Sequence, residues 1–230
     1  MIVLRNLAFY AFFYGGSVLV TFAALIVLPF SKARFRDMVH LWSAMHRWGV
    51  VNLLGCKLVI EGAPSEEPVL YAIKHQSFFE AIDAPHLLPL PGVFAKQELF
   101  RIPAWSYVGR TYGLIPVARD AGAKALMQMI RAAKAMVEQG RPLVIYPEGT
   151  RIPHGERAKL QAGFAGLYKM LRLPVVPVAV NSGPPYHRGL KRSGTITYRF
   201  CEPIPPGLPR EEIEARVLDA INSLNDEEAA

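Results

Sequence analysis

The sequence predicts an α/β domain, a mixed sheet flanked by helices, preceded by an N-terminal hydrophobic helix and an amphipathic helix. Three observations lead there. The 230-residue chain is 51% hydrophobic, at the upper edge for a soluble protein, and part of that excess sits in one place, since Leu7 to Phe30 contains no charged residue. Behind it, Met38, Leu41, Trp42, Met45 and Trp48 recur at helical spacing among Lys32, Arg34, Arg36 and Arg47. Beyond about residue 55, short runs rich in valine and isoleucine alternate with helical patterns, the mark of an α/β fold. The chain thus divides into residues 1–54, a membrane anchor with an amphipathic helix, and residues 55–230, one domain with no internal repeat and no long linker.

The first apolar run exceeds the roughly 18 residues that mark a transmembrane candidate. It is too long for the core of a cleaved signal peptide, and Ala33 is followed by Arg-Phe-Arg rather than a small-residue cleavage site. We read it as an anchor. Gly15, Gly16 and Pro29 leave open both a straight spanning helix and a bent segment that enters and leaves one leaflet. The basic, tryptophan-bearing helix that follows suits a membrane interface, or else packs on its own domain. Positive charge is denser after the run (Lys32, Arg34, Arg36) than before it (Arg5), which puts the bulk of the chain on the cytoplasmic side of the inner membrane.

In the domain, "CKLVIEG" and "PVLYAIKH" read as strands and "SFFEAIDAPHLL" as a helix; "GVFAK" and "GLIPVAR" are further strands. Asp120 can cap a helix reaching Glu138, with Leu126, Met129, Ile130, Ala133 and Val137 as its stripe and Gly140 as its stop. "PLVIYPEGT" is a buried strand ending in a tight turn. The helix "KLQAGFAGLYKMLR" leads into the strand "PVVPVAV", and "GTITYRFCEPI" reads as an edge strand. A last helix from about Arg210 to Leu224 buries Ile213, Val217, Ile221 and Leu224. Residues 181–195, "NSGPPYHRGLKRSGT", read as a solvated loop or one that touches lipid head groups.

The net charge of +7 favours an anionic partner, and the anchor makes that partner a phospholipid bilayer rather than nucleic acid. Cys56 and Cys201 stand far apart with no C-x-x-C pattern, so neither a zinc site nor a disulfide framework is indicated, and a reducing compartment fits. His75 and its nearby acids lack the ligand spacing of a metal hydrolase.

His75 ends a buried strand, where α/β sheets place their ligand crevices. Glu80, one turn into the following helix, could accept from one ring nitrogen and leave the other free as a base. Ser77 to Glu80 also matches the S-x-x-E capping box, in which Glu80 would bond the Ser77 N–H. On these residues alone the two readings stand level. No G-x-S-x-G elbow and no G-x-x-x-x-G-K-[ST] loop occurs, so neither a serine hydrolase nor a P-loop enzyme is supported, which leaves room for a nucleophile that belongs to the substrate. Lys96 in "FAKQEL" and Arg151 in "YPEGTR" each follow a strand and supply what a phosphate would need, with Gly149 letting backbone N–H groups approach a ligand.

Together these residues resemble the glycerolipid acyltransferase family, most closely its bacterial lysophosphatidate acyltransferases. The family's histidine, four residues, then acid is similar to "HQSFFE", His75 to Glu80; its second block resembles "VFAKQELFRIPAWSYVGRTYGLIPVAR", residues 93–119. Its E-G-T-R block stands as Glu148, Gly149, Thr150 and Arg151, and its proline-valine block resembles "LPVVPVAV". The departures are Glu80, where aspartate is commoner, and Lys74, where asparagine is common. The resemblance implies acyl transfer from acyl-CoA or acyl carrier protein, as co-substrate and without a cofactor or metal, to the sn-2 hydroxyl of lysophosphatidate, giving phosphatidate. It implies His75 as general base, Glu80 as its orienting acid, Lys96 and Arg151 on the acceptor phosphate, Arg101 and Arg119 as weaker candidates, and Glu148 as an orderer of its turn. Another lysolipid acceptor, such as lyso-ornithine lipid or glycerol 3-phosphate, or a non-catalytic lipid-binding protein, are the rival readings.

Overall fold

The computed structural model of the chain describes residues 1–101, 105–117 and 122–225. Its first element, α1 (Ile2–Val27), rises about 39 Å over 26 residues. It is, among the described residues, the one helix long and apolar enough to cross a membrane by length and composition. Gly15 and Gly16 do not break it. A Cβ on Gly16 would collide with the Met45 sulfur, so this glycine lets the next helix approach closely. Pro29 stands in the turn after the helix.

That next helix, α2 (Lys32–Asn52), starts at Ser31, whose hydroxyl accepts from the Arg34 N–H. It folds back on α1 and buries Phe35, Ser43, His46, Gly49 and Val50. Trp42 and Met45 also pack inward, whereas Leu41 and Trp48 stay half exposed. The hairpin is seated on the rest of the chain: Phe9, Phe13, Val50 and Leu54 share one core with Tyr71, Phe79 and Tyr198. Each such buried side chain stabilises the seat by roughly 1.5–3 kcal/mol. The outer side of α1 keeps Leu7, Tyr14, Val18, Leu19, Phe22 and Ile26 exposed.

The strands are β1 (Lys57–Glu61), β2 (Leu70–Ile73), β3 (Gly92–Lys96), β4 (Leu114–Val117), β5 (Leu143–Ile145), β6 (Val175–Val180) and β7 (Thr195–Phe200). Between and after them come α3 (Phe79–Leu87), α4 (Trp105–Tyr112), α5 (Gly122–Val137), α6 (Ala162–Leu171) and α7 (Arg210–Ile221). They form a mixed seven-stranded sheet in the order β1-β7-β6-β2-β5-β3-β4. The five strands from β6 to β4 are parallel, β7 is antiparallel to β6, and β1 is parallel to β7. Strand side chains alternate between two cores. Tyr71 and Ile73 of β2 face the core shared with α1, α2 and α3, and Leu70 and Ala72 face the core built with α5, α6 and α7. The stripe of α5 enters that second core through Met129, Ile130 and Ala133; Asp120 lies outside the described residues.

Two expectations are corrected. The strand within "GTITYRFCEPI" is not at an edge: β7 pairs with β1 on one side and β6 on the other. Alternation along a strand reports which faces are buried, and carries no information about which backbone edges are paired. Nor is the 181–195 stretch merely solvated. Asn181, Ser182, Tyr186 and Lys191 are buried. The Asn6 side chain accepts from the Lys191 N–H at 2.8 Å and donates to its carbonyl at 2.8 Å, clamping the loop onto α1. The Lys191 ammonium lies 4.1 Å from the Tyr186 ring centroid, a cation–π contact.

Candidate active site

β2 is buried along its whole length, and its parallel neighbours β5 and β6 flank it on both sides. Chain direction reverses its march across the sheet here, because β2 leads towards β3 on one side while β5 leads back past β2 to β6. Side chains leaving the carboxyl ends of these three strands therefore converge on one crevice. The segments that do so are Lys74–Ser77 after β2, Tyr146–Arg151 after β5 and Asn181–Gly183 after β6.

The Nδ1 of His75 lies 2.9 Å from Glu80 Oε1. Glu80 is completely buried in the first turn of α3, and its two oxygens are fully engaged. Oε1 also accepts from the N–H groups of Gln76 at 2.6 Å and Ser77 at 2.8 Å; Oε2 accepts from the hydroxyls of Ser182 at 2.6 Å and Ser77 at 3.1 Å. The capping box and the histidine contact are thus one arrangement, because a carboxylate has lone pairs enough for both. Burial alone would push the Glu80 carboxyl up. The hydrogen bond and charge of His75, joined by Ser182 and the Ser77 N–H, outweigh it and hold the group below its ordinary value. An ionised Glu80 can only accept, so Nδ1 carries the proton and Nε2 is the basic nitrogen.

Ring orientation is fixed from the other side. Tyr146, the residue after β5, lies against His75 with ring centroids 4.5 Å apart, and its hydroxyl donates to the Glu80 carbonyl at 3.1 Å. The chain then turns tightly, with the Gly149 N–H donating to the Tyr146 carbonyl at 2.9 Å and Gly149 at φ +68°, a left-handed conformation that favours glycine. Beyond the turn the Ile152 N–H donates to the His75 carbonyl at 2.8 Å, so the turn folds back over the histidine. Thr150 is exposed, and the Arg151 guanidinium stacks over the half-exposed Phe78 ring at 4.1 Å from its centroid.

Glu148 points inward. Its Oε1 accepts from Lys74 Nζ at 2.6 Å and its Oε2 from the His75 N–H at 3.3 Å, while burial pushes its carboxyl up against the pull of Lys74. The same ammonium donates to Asn222 Oδ1 at 2.8 Å and to the Glu156 carbonyl at 3.0 Å. Lys74 therefore ties the strand end that carries His75 to the turn and to the C-terminal end of α7. Gln76 makes a second tie, accepting from the Gly183 N–H at 2.9 Å and meeting His154 Nδ1 at 3.3 Å.

Lys96 is exposed at the carboxyl end of β3, two strands from β2 and so about 10 Å across the same sheet edge. Arg101 closes the short 3-10 turn Gln97–Arg101 and is also exposed. Arg119 lies outside the described residues. Sequence reading passed over Lys74, Tyr146 and Ser182. For Lys74 a signal existed, since a lysine at the mouth of a fully buried strand must find a partner. For Ser182 there was none, because its partner lies 102 residues away.

Among the described residues, no protein hydroxyl or thiol is hydrogen-bonded to His75; Ser77 and Ser182 are both turned to Glu80. A carboxylate-backed histidine with no protein nucleophile hydrogen-bonded to it among the described residues, next to a turn bearing an arginine, is an arrangement that can take a proton from a hydroxyl brought in by a substrate. Residues 57–181, more than half of the chain, match the Acyltransferase family; the chain belongs to that family and is an O-acyltransferase. It is 29% identical over 203 residues to the 1-acyl-sn-glycerol-3-phosphate acyltransferase of Pseudomonas aeruginosa, covering 84% of this chain and 77% of that one. It is 25% identical over 215 residues to the human alpha form of that enzyme, covering 88% and 74%. In fold it is similar to the crystal structure of the 1-acyl-sn-glycerophosphate (LPA) acyltransferase PlsC from Thermotoga maritima, with TM-score 0.72, 22% identity and 99% of this chain covered against 97% of that one.

Proposed function

We propose that this protein transfers a fatty acyl group from acyl-CoA or acyl carrier protein to the sn-2 hydroxyl of 1-acyl-sn-glycerol 3-phosphate, giving phosphatidate for phospholipid synthesis. The observation that carries the reading is the 2.9 Å contact between His75 Nδ1 and the buried Glu80, which makes Nε2 a base. Nε2 takes the hydroxyl proton as the substrate oxygen attacks the thioester carbonyl. The tetrahedral intermediate then expels the thiolate, which recovers that proton from His75. Glu80 holds the ring and stabilises the imidazolium between the two steps. No covalent acyl-enzyme is needed.

The acceptor assignment draws on the names of the Pseudomonas and human relatives and on the cations at the same sheet edge. Arg151 can hold a phosphate through two parallel hydrogen bonds, and Lys96 adds a point charge; Arg101 and, from the sequence alone, Arg119 are the weaker candidates. The exposed apolar side of α1 suits an enzyme whose acceptor keeps its acyl chain in a bilayer. Lys32, Arg34 and Arg36 beside that surface favour the cytoplasmic side of the inner membrane.

The test is thiol release from acyl-CoA and acyl carrier protein by membranes carrying the protein, with and without lysophosphatidate. Release in the parent is expected to depend on acceptor and to fall about 10²–10⁴-fold in His75→Ala. Release without acceptor, or with a different lysolipid only, would overturn the substrate assignment; full activity in a folded His75→Ala would overturn the mechanism.

A further inference from the structure

The β6–β7 loop touches both the Glu80 carboxylate and the N-terminal hairpin, and Ser182 is where it meets the carboxylate. Ser182 is wholly inaccessible to solvent. Its hydroxyl reaches Glu80 Oε2 at 2.6 Å, and the Ser77 hydroxyl stands 2.8 Å from it. Oε1 is already held by two backbone N–H groups and the histidine, so it is Oε2 that leaves the carboxylate free to pivot about its Oε1 contacts unless side chains hold it. The two serines supply that restraint, and the shorter bond comes from Ser182.

The loop itself is held in place. The Tyr186 N–H donates to the Ser182 carbonyl at 2.9 Å, closing a turn directly after the serine. The Tyr186 hydroxyl lies 2.7 Å from His46 Nε2 inside the core shared with Phe9, Phe13 and Phe79. Five residues further on, Asn6 clamps the Lys191 backbone. Upstream, Asn181 accepts from the Thr197 N–H at 2.6 Å and Gly183 donates to Gln76. A serine fixed on both flanks by strand, helix and hairpin presents its hydroxyl at one point.

We propose that Ser182 is a positioning residue for acyl transfer, holding the Glu80 carboxylate in the plane in which it orients His75. This rests on the proposed roles of His75 and Glu80. Ser182 does not touch substrate; it acts through the carboxylate, so its loss should be felt in the turnover step and not in binding. It also stabilises the negative charge on Glu80. Without it that charge acts more strongly on the imidazolium, the protonated dyad is favoured, and the acid limb of the pH–rate profile moves to higher pH. The titratable groups that face Glu80 are His75 at the end of β2, Tyr146 after β5, Tyr186 in the loop and Tyr198 on β7; Asp83, further along α3, is paired with Arg47 of α2 at 2.6 Å. None of the tyrosines titrates across the working range, because burial raises all three.

The experiment compares the full chain with its Ser182→Ala and His75→Ala variants in membranes, measuring kcat, both KM values, the pH profile and the thermal midpoint. For Ser182→Ala the expected result is a fall in kcat of about ten- to a hundredfold, the range for one hydrogen bond to a charged group, with each KM within about twofold. The acid limb should rise by about half to one pH unit. Unchanged kcat, or a fall that comes with a lowered thermal midpoint and an unmoved acid limb, overturns the proposal, the second outcome marking Ser182 as structural only. If His75→Ala keeps its activity, the underlying mechanism fails instead, which separates the two.

Discussion

Replacing Lys74 by methionine should be among the most damaging single changes outside the dyad. The Lys74 and Glu148 side chains have no solvent exposure and stand 2.6 Å apart. Removing one partner of a buried pair typically costs about 3–5 kcal/mol, because the remaining charge is stranded where water cannot reach it. Asn222 Oδ1 and the Glu156 carbonyl would also lose their donor. At roughly 2–4 °C per kcal/mol for a chain of this size, the thermal midpoint should fall by on the order of 6–20 °C. Without its cation, Glu148 has a folded-state pKa raised above the unfolded one. Its penalty is then absent below the unfolded value near the ordinary carboxylate range and develops as pH rises through the folded value. Thermal melts of Lys74→Met should therefore diverge from the parent more at pH 8 than at pH 5. Adding Glu148→Gln should recover much of the loss by removing the stranded charge. Loss of less than about 1 kcal/mol, or an equal loss at both pH values, would refute the claim that the ammonium compensates this carboxylate.

Three further outcomes are expected. Arg151→Gln should raise the lysophosphatidate KM by about ten- to a hundredfold while leaving the thioester KM little changed, and Arg151→Lys should restore only part of the loss, since a point charge cannot replace the guanidinium fork. Initial-rate kinetics against each substrate decide this, and equal effects on both would remove the phosphate assignment. His46 is held neutral by burial, with Lys191 and Arg47 adding to the effect, and its pKa is lowered to about 3. Its depressed value means stability that is present above about pH 6.5 and lost as pH falls towards 3, several kcal/mol in all at about 1.4 kcal/mol per unit. In His46→Gln the decline of the thermal midpoint between pH 6.5 and 4 should be visibly shallower; an unchanged slope would assign acid sensitivity elsewhere. Asn6→Ala removes both partners of the buried Lys191 peptide and should cost about 2–4 kcal/mol, read as a lowered melting point in detergent.

Much of the fold was legible because hydrophobic periodicity reports burial directly. The alternation of apolar strands and amphipathic helices announced the α/β layers, and the helix-spaced stripe Met129, Ile130 and Ala133 lies in the core behind the sheet. The contact between His75 and Glu80 was legible as one of two local readings, since across a strand-to-helix turn the carboxylate can reach either the ring or the Ser77 N–H, and it does both. The tight turn at Gly149 announced itself by a glycine just after the end of a buried strand.

Long-range pairing left no such trace. That β7 lies inside the sheet is a matter of which backbone edges meet, and side-chain pattern encodes faces instead. The loop from 181 to 195 has the composition of a solvated stretch, yet its polar groups are satisfied by Asn6 and Tyr10 from the other end of the chain. Ser182 and Tyr146 become parts of the site only through partners 102 and 66 residues away. The sequence by itself determined the apolar helix and the layered α/β class, and put His75 and Glu80 within reach of each other, since each depends on neighbours in the chain. Which residues hold that dyad still, and that the hairpin is seated on the catalytic domain, was decided only in the tertiary structure, because hydrogen bonds between distant segments are specified by where the folded backbone brings them and not by any local pattern.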